Sequence, residues 1–199
     1  YKTNTIGEDM EIVVRLHRFM KNHKRKYKII FCEDAVCWTQ GPMSIKDIRG
    51  QRRRWQIGLL DTLISHASMF LNPFYGFVGL FAIPYNWIFE LLGAIVEVLG
   101  YFIIPFSLLM GELNMFFFIC YFLLSVLLGI ILSIGSLILE QYTKKNEMTP
   151  KQCMMISLYA ILENFGYRQL ITLFRVEGIL KYRKLRKTWG KIKRKDVEQ

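Results

Sequence analysis

From Gln56 to Thr143 the chain runs 88 residues without one Lys or Arg, although it carries 27 of them in 199. Before that gap 13 Lys and Arg stand against 6 Asp and Glu, a balance of +7. Inside it there are 5 acidic residues and no cation, and after it 14 cations stand against 5 acids, a balance of +9. The apolar residues concentrate in the cation-free middle of a composition that is 52% hydrophobic and 15% aromatic. This distribution excludes an ordinary soluble domain, a disordered chain and a disulfide-stapled secreted module. Basic flanks around an apolar block point instead to a membrane protein with both ends on the cytoplasmic side. Nucleic-acid binding, the usual alternative for a pI near 9.6, leaves the apolar block without a purpose.

Cys32, Cys37, Cys120 and Cys153 form no C-x-x-C pair, so free thiols in a reducing compartment are expected. The chain starts at Tyr1 within a polar stretch, with no Met and no signal peptide, and reads as the C-terminal piece of something longer.

Met10, Val13, Val14, Leu16, Phe19 and Met20 recur at three- and four-residue steps, which predicts a helix over residues 8–22. Glu8, Asp9 and Glu11 crowd its first turn, where the helix dipole favours negative charge. A basic connector, Lys21 to Lys28, leads to Tyr27–Cys32 and Ala35–Thr39, runs rich in Ile, Phe, Val and Trp that read as strand and end at Gly41-Pro42. A second helix is expected from Ser44, its candidate N-cap with Asp47 three residues on, to Asn72-Pro73. Ile48, Trp55, Leu59, Leu63, Ala67 and Phe70 form its apolar stripe, and its start is basic. Such a helix lies in a membrane interface more readily than it crosses.

Two spans follow, 86–110 and 115–139, separated by Gly111-Glu112-Leu113-Asn114. At about 1.5 Å per residue each exceeds the roughly 30 Å hydrocarbon core. Phe70–Pro84 is short and carries Gly76, Gly79 and Pro84, while Met154–Val176 contains Glu163, Arg168 and Arg175. If both of these segments crossed, Lys144, Lys145 and Lys151 would lie outside, so the positive-inside bias favours two full spans with two interfacial or re-entrant segments. Leu185, Trp189 and Ile192 recur among the bases of the tail, as in a helix lying on anionic lipid.

Taken singly, a carboxylate pair at a helix start or three arginines beside a membrane carry little information. Their order is informative. Gly7-Glu8-Asp9 opens a helix; Glu33-Asp34-Ala35-Val36-Cys37-Trp38-Thr39-Gln40-Gly41-Pro42 follows; then come Gln51-x-x-Arg54-Trp55 and the apolar spans. This sequence resembles the membrane-embedded family 2 glycosyltransferases, relatives of cellulose, hyaluronan and poly-N-acetylglucosamine synthases, over nearly its whole length.

The resemblance implies a mostly α fold. Residues 1–43 would end a GT-A-like α/β catalytic domain, and 44–72 would be an interfacial amphipathic helix bearing the Gln-x-x-Arg-Trp motif. Residues 73–176 would be the membrane region, with 154–176 re-entrant or interfacial, and 177–199 a basic cytoplasmic tail. It also implies inverting transfer of a sugar from a nucleotide diphosphate donor, a UDP-sugar, to a growing polysaccharide or lipid acceptor in a bacterial plasma membrane. Asp9 maps to the general base with Glu8 beside it, because an attacking hydroxyl must lose its proton to a carboxylate within reach. Gln51, Arg54 and Trp55 map to the acceptor and diphosphate end. A Trp ring suits the apolar face of a sugar, and an Arg fork suits diphosphate oxygens that gain charge.

Two departures limit the carry-over. Gln40-Gly41-Pro42 stands where the family often has Glu before the Pro, and no Asp-x-Asp occurs anywhere in the chain. The divalent metal (Mg or Mn) expected for the full-length enzyme therefore has no ligands here, and the piece alone is expected to be inactive. Alternatives are a non-processive transferase acting on a lipid and, from another class, a membrane transporter or anchor whose arginines merely touch lipid.

Arg52 and Arg53 are not fixed by the motif. His17, His23 and His66 lack ligand-like spacing. Glu90 and Glu97, seven apart, would share one helix face as packing partners or pathway residues, and Ser125, Gly129 and Ser133 form a small-residue ridge suited to close helix packing.

Overall fold

A computed structural model describes residues 5–30, 32, 35, 37, 39–144 and 149–186. The acidic residues of the expected strand motif, Glu33 and Asp34, and the tail beyond Arg186, with Trp189 and Ile192, lie outside the described residues. The chain forms two compact units, one of Tyr1–Ile30, Trp38–Val98 and Ile171–Gln199, the other of Phe31–Cys37 and Leu99–Leu170.

In the first unit, helix α1 spans Glu8–Asn22 and α2 spans Ile45–Ser65. Ser44 caps α2 from extended backbone: its Oγ accepts from Asp47 N at 3.2 Å and donates to Asp47 Oδ2 at 2.6 Å. Between the helices no strand is present among the described residues; Phe31, Val36 and Trp38 of the runs expected as strand, Tyr27–Cys32 and Ala35–Thr39, lie outside them. A strand is held by a neighbour's ladder. The segment at 25–30 meets α1 through a side chain instead, with the Tyr27 hydroxyl 2.6 Å from His17 Nδ1. The described residues of the expected α/β part are therefore helix and irregular chain.

The apolar stripe expected to run from Ile48 to Phe70 is divided. α2 stops at Ser65, and the chain reverses through 3-10 turns at Ala67–Met69 and Pro73–Tyr75, with Leu71 at φ +51°. Leu59 and Leu63 of that stripe face protein, in a core with Met69, Tyr75, Ile83 and Leu91. Each fully buried aliphatic side chain there contributes about 1.5–3 kcal/mol.

Helix α3 runs Val78–Leu109, so the second half of the ambiguous Phe70–Pro84 segment joins the first span. Its early turns are wider than α-helical: Ile83 N bonds Val78 O and Gly93 N bonds Ile88 O, both five residues back. Gly79 marks a close approach, since a Cβ there would lie 2.9 Å from Met69 O.

In the second unit α3 ends in a turn with Gly111 at φ +73°, where Glu112 N reaches Ser107 O at 3.0 Å. Asn114 Oδ1 then accepts from Phe117 N, opening α4, Met115–Lys144. Helix α5, Pro150–Leu162, starts from a capping box of Thr149 and Gln152. The expected small-residue ridge is used against the end of α5: Gly129 lies against the Asn164 amide, and Ser133 Oγ donates to Glu163 Oε1 at 2.7 Å. The Met154–Val176 segment is not one helix. A turn with Gly166 at φ +94° separates α5 from α6, Tyr167–Leu180.

Val78–Leu109 and Met115–Leu139 are long and apolar enough to cross a membrane, and only 11% and 6% of their most apolar stretches are buried. Exposed apolar surface of that extent is what a bilayer would cover.

Candidate functional site

The first turn of α1 sorts its three carboxylates. Glu11 turns inward, 1% exposed, with His66 Nε2 and Arg15 Nε each 3.4 Å from its oxygens. Asp9 is exposed, its Oδ1 accepting among the described residues from its neighbour Met10 N at 2.8 Å, and Glu8 is half-buried. Asp9 and Glu8, unlike Glu11, are therefore not turned into the core.

At 100° per residue, Gln51, Arg54, Trp55 and Gly58 fall on one face of α2. Gly58 is where α1 meets that face. A Cβ on Gly58 would lie 2.8 Å from Gly7 Cα, and one on Gly7 2.8 Å from Gly58 Cα, closer than any side chain allows. Two glycines therefore let the backbone that starts Gly7-Glu8-Asp9 touch α2 one turn beyond Arg54. The structure thereby brings together two of the three motifs that the sequence singled out, Gly7-Glu8-Asp9 and Gln51-x-x-Arg54-Trp55.

Within this face Gln51 and Arg54 are half-buried, and neither makes a side-chain hydrogen bond or ion pair with another described residue. Trp55 is 52% exposed, and the Arg52 guanidinium stands 4.5 Å over its ring. That cation–π contact orients the indole, and it gives Arg52 a role in the site that its position in the motif did not announce.

The opposite face of α2 is occupied. Arg49 grips Glu177 of α6 through two 2.7 Å hydrogen bonds, Arg53 adds one at 3.3 Å, and Lys181 Nζ a third partner at 2.6 Å. The Arg49 hydrogen bond, aided by Lys181 and Arg53 against partial burial, holds the Glu177 carboxyl down at about 2. Gly178 allows the helices this close: a Cβ there would sit 3.0 Å from Arg53 O. One residue past the motif, buried Gln56 accepts from Arg175 Nε at 3.0 Å and donates to Glu90 O at 3.3 Å, and Arg175 also pairs with the Glu90 carboxylate at 2.9 Å. Glu90 is thus a packing partner, the first of the two roles open to it. The wide turns over Asn86–Leu92 shift the register, so the seven-residue spacing to Glu97 no longer fixes a shared face. Farther along, buried Asp61 accepts from Tyr182 Oη at 2.7 Å and pairs with Arg186 at 2.9 Å. Burial, then the Asp61 hydrogen bond, pushes the Tyr182 phenol up to about 12.

The partners Glu177, Arg175 and His66 were not legible as such, because each is more than 50 residues from its mate and no local spacing links them. Among the described residues no three His, Cys, Asp or Glu side chains converge as a metal site would require. Glu8 and Asp9 alone do not make one.

A profile described as glycosyl transferase family group 2 matches residues 2–136. Over 55 residues the chain is 36% identical to chitin synthase 7 of the fungus Verticillium dahliae, an overlap of 28% of this chain and 7% of that relative's length. No solved structure matches.

Proposed function

The chain belongs to the group 2 family of glycosyl transferases, and on that premise we propose that it carries the acceptor side of an inverting sugar transfer from a nucleotide diphosphate donor, a UDP-sugar. The observation that carries the proposal is the Gly7–Gly58 contact, which sets the Glu8-Asp9 turn against the face of α2 bearing Gln51, Arg54 and Trp55. The acceptor hydroxyl oxygen attacks the anomeric carbon while the bond from that carbon to the diphosphate oxygen breaks. Asp9 takes the hydroxyl proton, and Arg54, free of any partner among the described residues, meets the charge growing on the diphosphate. Glu8 keeps the turn acidic beside the base, Gln51 hydrogen-bonds acceptor hydroxyls, and the open face of Trp55 stacks on the acceptor sugar.

The relative is named a chitin synthase, which supports a polysaccharide acceptor over a lipid one. Donor binding and the divalent metal belong to residues outside this sequence, so the chain by itself does not turn over. The transfer site and the basic C-terminal region face the cytoplasmic side of a plasma membrane, where the positive-inside bias puts the cations. Incubation of the full-length protein, wild type and Asp9→Asn, with a panel of labelled nucleotide sugars tests the reading. Transfer lost with donor binding kept supports it, and undiminished turnover of the variant refutes Asp9 as the base.

A further inference from the structure

At the other end of α1, about 18 Å from Asp9 by helix rise, a cleft of about 290 Å³ opens where the basic connector passes the start of α3. His17, Lys21, Tyr27, Lys28, Tyr75 and Phe77 line it, and no carboxylate does. Neither Lys21 nor Lys28 forms an ion pair with a described residue, and Lys21 is half-buried. The Lys21 ammonium stands 3.6 Å from where a Cβ would project from Gly76, the turn that leads into the apolar helix. His17 is held below its ordinary value by burial and then by the Lys21 charge, and its Nδ1 lies 2.6 Å from the Tyr27 hydroxyl. The Tyr75 hydroxyl donates to Asn22 Oδ1 at 3.2 Å, which fixes the opposite wall.

Two lysines that form no ion pair with a described residue and a phenol therefore line one concavity, a chemistry that suits an anion. Its position suggests which. The cleft sits two residues before α3 becomes continuously apolar, with Phe74 and Phe77 exposed at the same level. Aromatic rings and lysines at that level are where headgroup phosphates lie. A soluble phosphate would use the cations but not the neighbouring exposed rings, whereas a phospholipid uses both.

We propose that this cleft binds the phosphate of an anionic membrane lipid, held by Lys21 and Lys28 with the Tyr27 hydroxyl, its acyl chains running beside Phe77 along α3. Such a lipid clamps the C-terminal end of α1 to the membrane surface and so fixes the depth at which the transfer site works.

The purified chain in zwitterionic detergent is titrated with dioctanoyl phosphatidylglycerol, with dioctanoyl phosphatidylcholine and with inorganic phosphate, and bound lipid is counted by native mass spectrometry. Phosphatidylglycerol is expected to be retained in preference to phosphatidylcholine. The Lys21→Ala/Lys28→Ala pair should weaken it roughly 30-fold, about fivefold per surface-near cation. Lys24→Ala/Lys26→Ala removes the same charge from exposed positions of the same connector outside the lining and should cost no more than a few-fold. Should the first pair fail to fold, Lys28→Glu reverses charge at an exposed position and should abolish the preference. Equal losses from the two pairs would mean diffuse attraction and would overturn the site. Displacement of the lipid by millimolar inorganic phosphate would identify a soluble-phosphate site and overturn the lipid assignment. The readout is binding alone, so it stands or falls separately from Asp9 and sugar transfer.

Discussion

The two faces of α2 carry the same kind of residue and use it in opposite ways. Arg49, Arg53 and Gln56 are held by Glu177 and Arg175, while on the far side Gln51 and Arg54 have no partner among the described residues and Trp55 is half exposed. A guanidinium already engaged by a carboxylate cannot also meet a diphosphate without giving up charge-assisted bonds of about 1.5–3 kcal/mol each. On the proposed reading the unpaired face meets the ligand, and the paired face packs α2 against α6. What weighs against the transporter or anchor alternative is the match of residues 2–136 to the glycosyl transferase family.

The sharpest break of this comparison is Asp9→Asn. Loss of the base should lower transfer by about 10²–10⁴-fold in the full-length protein. Asp9 is exposed and among the described residues bonds its neighbour's amide, so stability should fall by no more than the helix-dipole contribution of about 0.3–1 kcal/mol. Next comes Gly58→Ala, which attacks the joint between the motifs. A methyl 2.8 Å from Gly7 Cα must push α1 off α2. That overpacking costs about 1–3 kcal/mol, and a shift of order 1 Å at the base costs about 10²-fold in rate. Steady-state rates and thermal melts of the same variant should show both losses. Gly50, on α2 with open space around it, serves as the control, and Gly50→Ala should lose neither.

Replacing single arginines with lysine then separates the faces. Arg54→Lys keeps the charge and loses the fork, so transfer should fall roughly 10- to 100-fold with stability intact. Arg53→Lys should leave transfer unchanged and cost at most about 1 kcal/mol of stability, since its ion pair is partly solvated. Reversal of that pattern would move the ligand to the other face.

How much of this could be read beforehand follows from the range of the forces involved. α1 at 8–22, the Ser44 cap and the break at 111–114 rest on neighbours within a few residues, and the sequence shows them. Gly7, Asp9 and Arg54 were singled out as motif residues, and the packing of Gly7 on Gly58 was not, because a glycine's reason here is a backbone 51 positions away. Gly79 misled for the same cause: it reads as an interruption and is in fact a contact with Met69 O, which lets α3 begin earlier than hydropathy alone suggests. Tyr27–Cys32 has strand composition, but composition cannot supply a partner strand, and among the described residues none is present.

The occupied face yields the smallest effect and the one with a defined pH window. Glu177 titrates near 2 when folded, below the ordinary carboxyl value of 4.5 that applies when the chain is unfolded. The unfolded state therefore binds its proton first as pH falls, and the stability contributed by the ionised carboxylate is complete above about pH 4.5. It is lost progressively down to about 2. Melting temperature measured across that range should fall for the wild type more steeply than for Glu177→Gln, which has no proton to gain there. Above pH 5 the variant should melt lower by a constant amount, because Arg49, Arg53 and Lys181 lose their shared anion. Transfer by the variant at neutral pH should remain, reduced only as far as α2 loosens. If transfer fell as far as in Arg54→Lys, the paired face would be part of the site itself, and the division of labour around α2 would have to be redrawn.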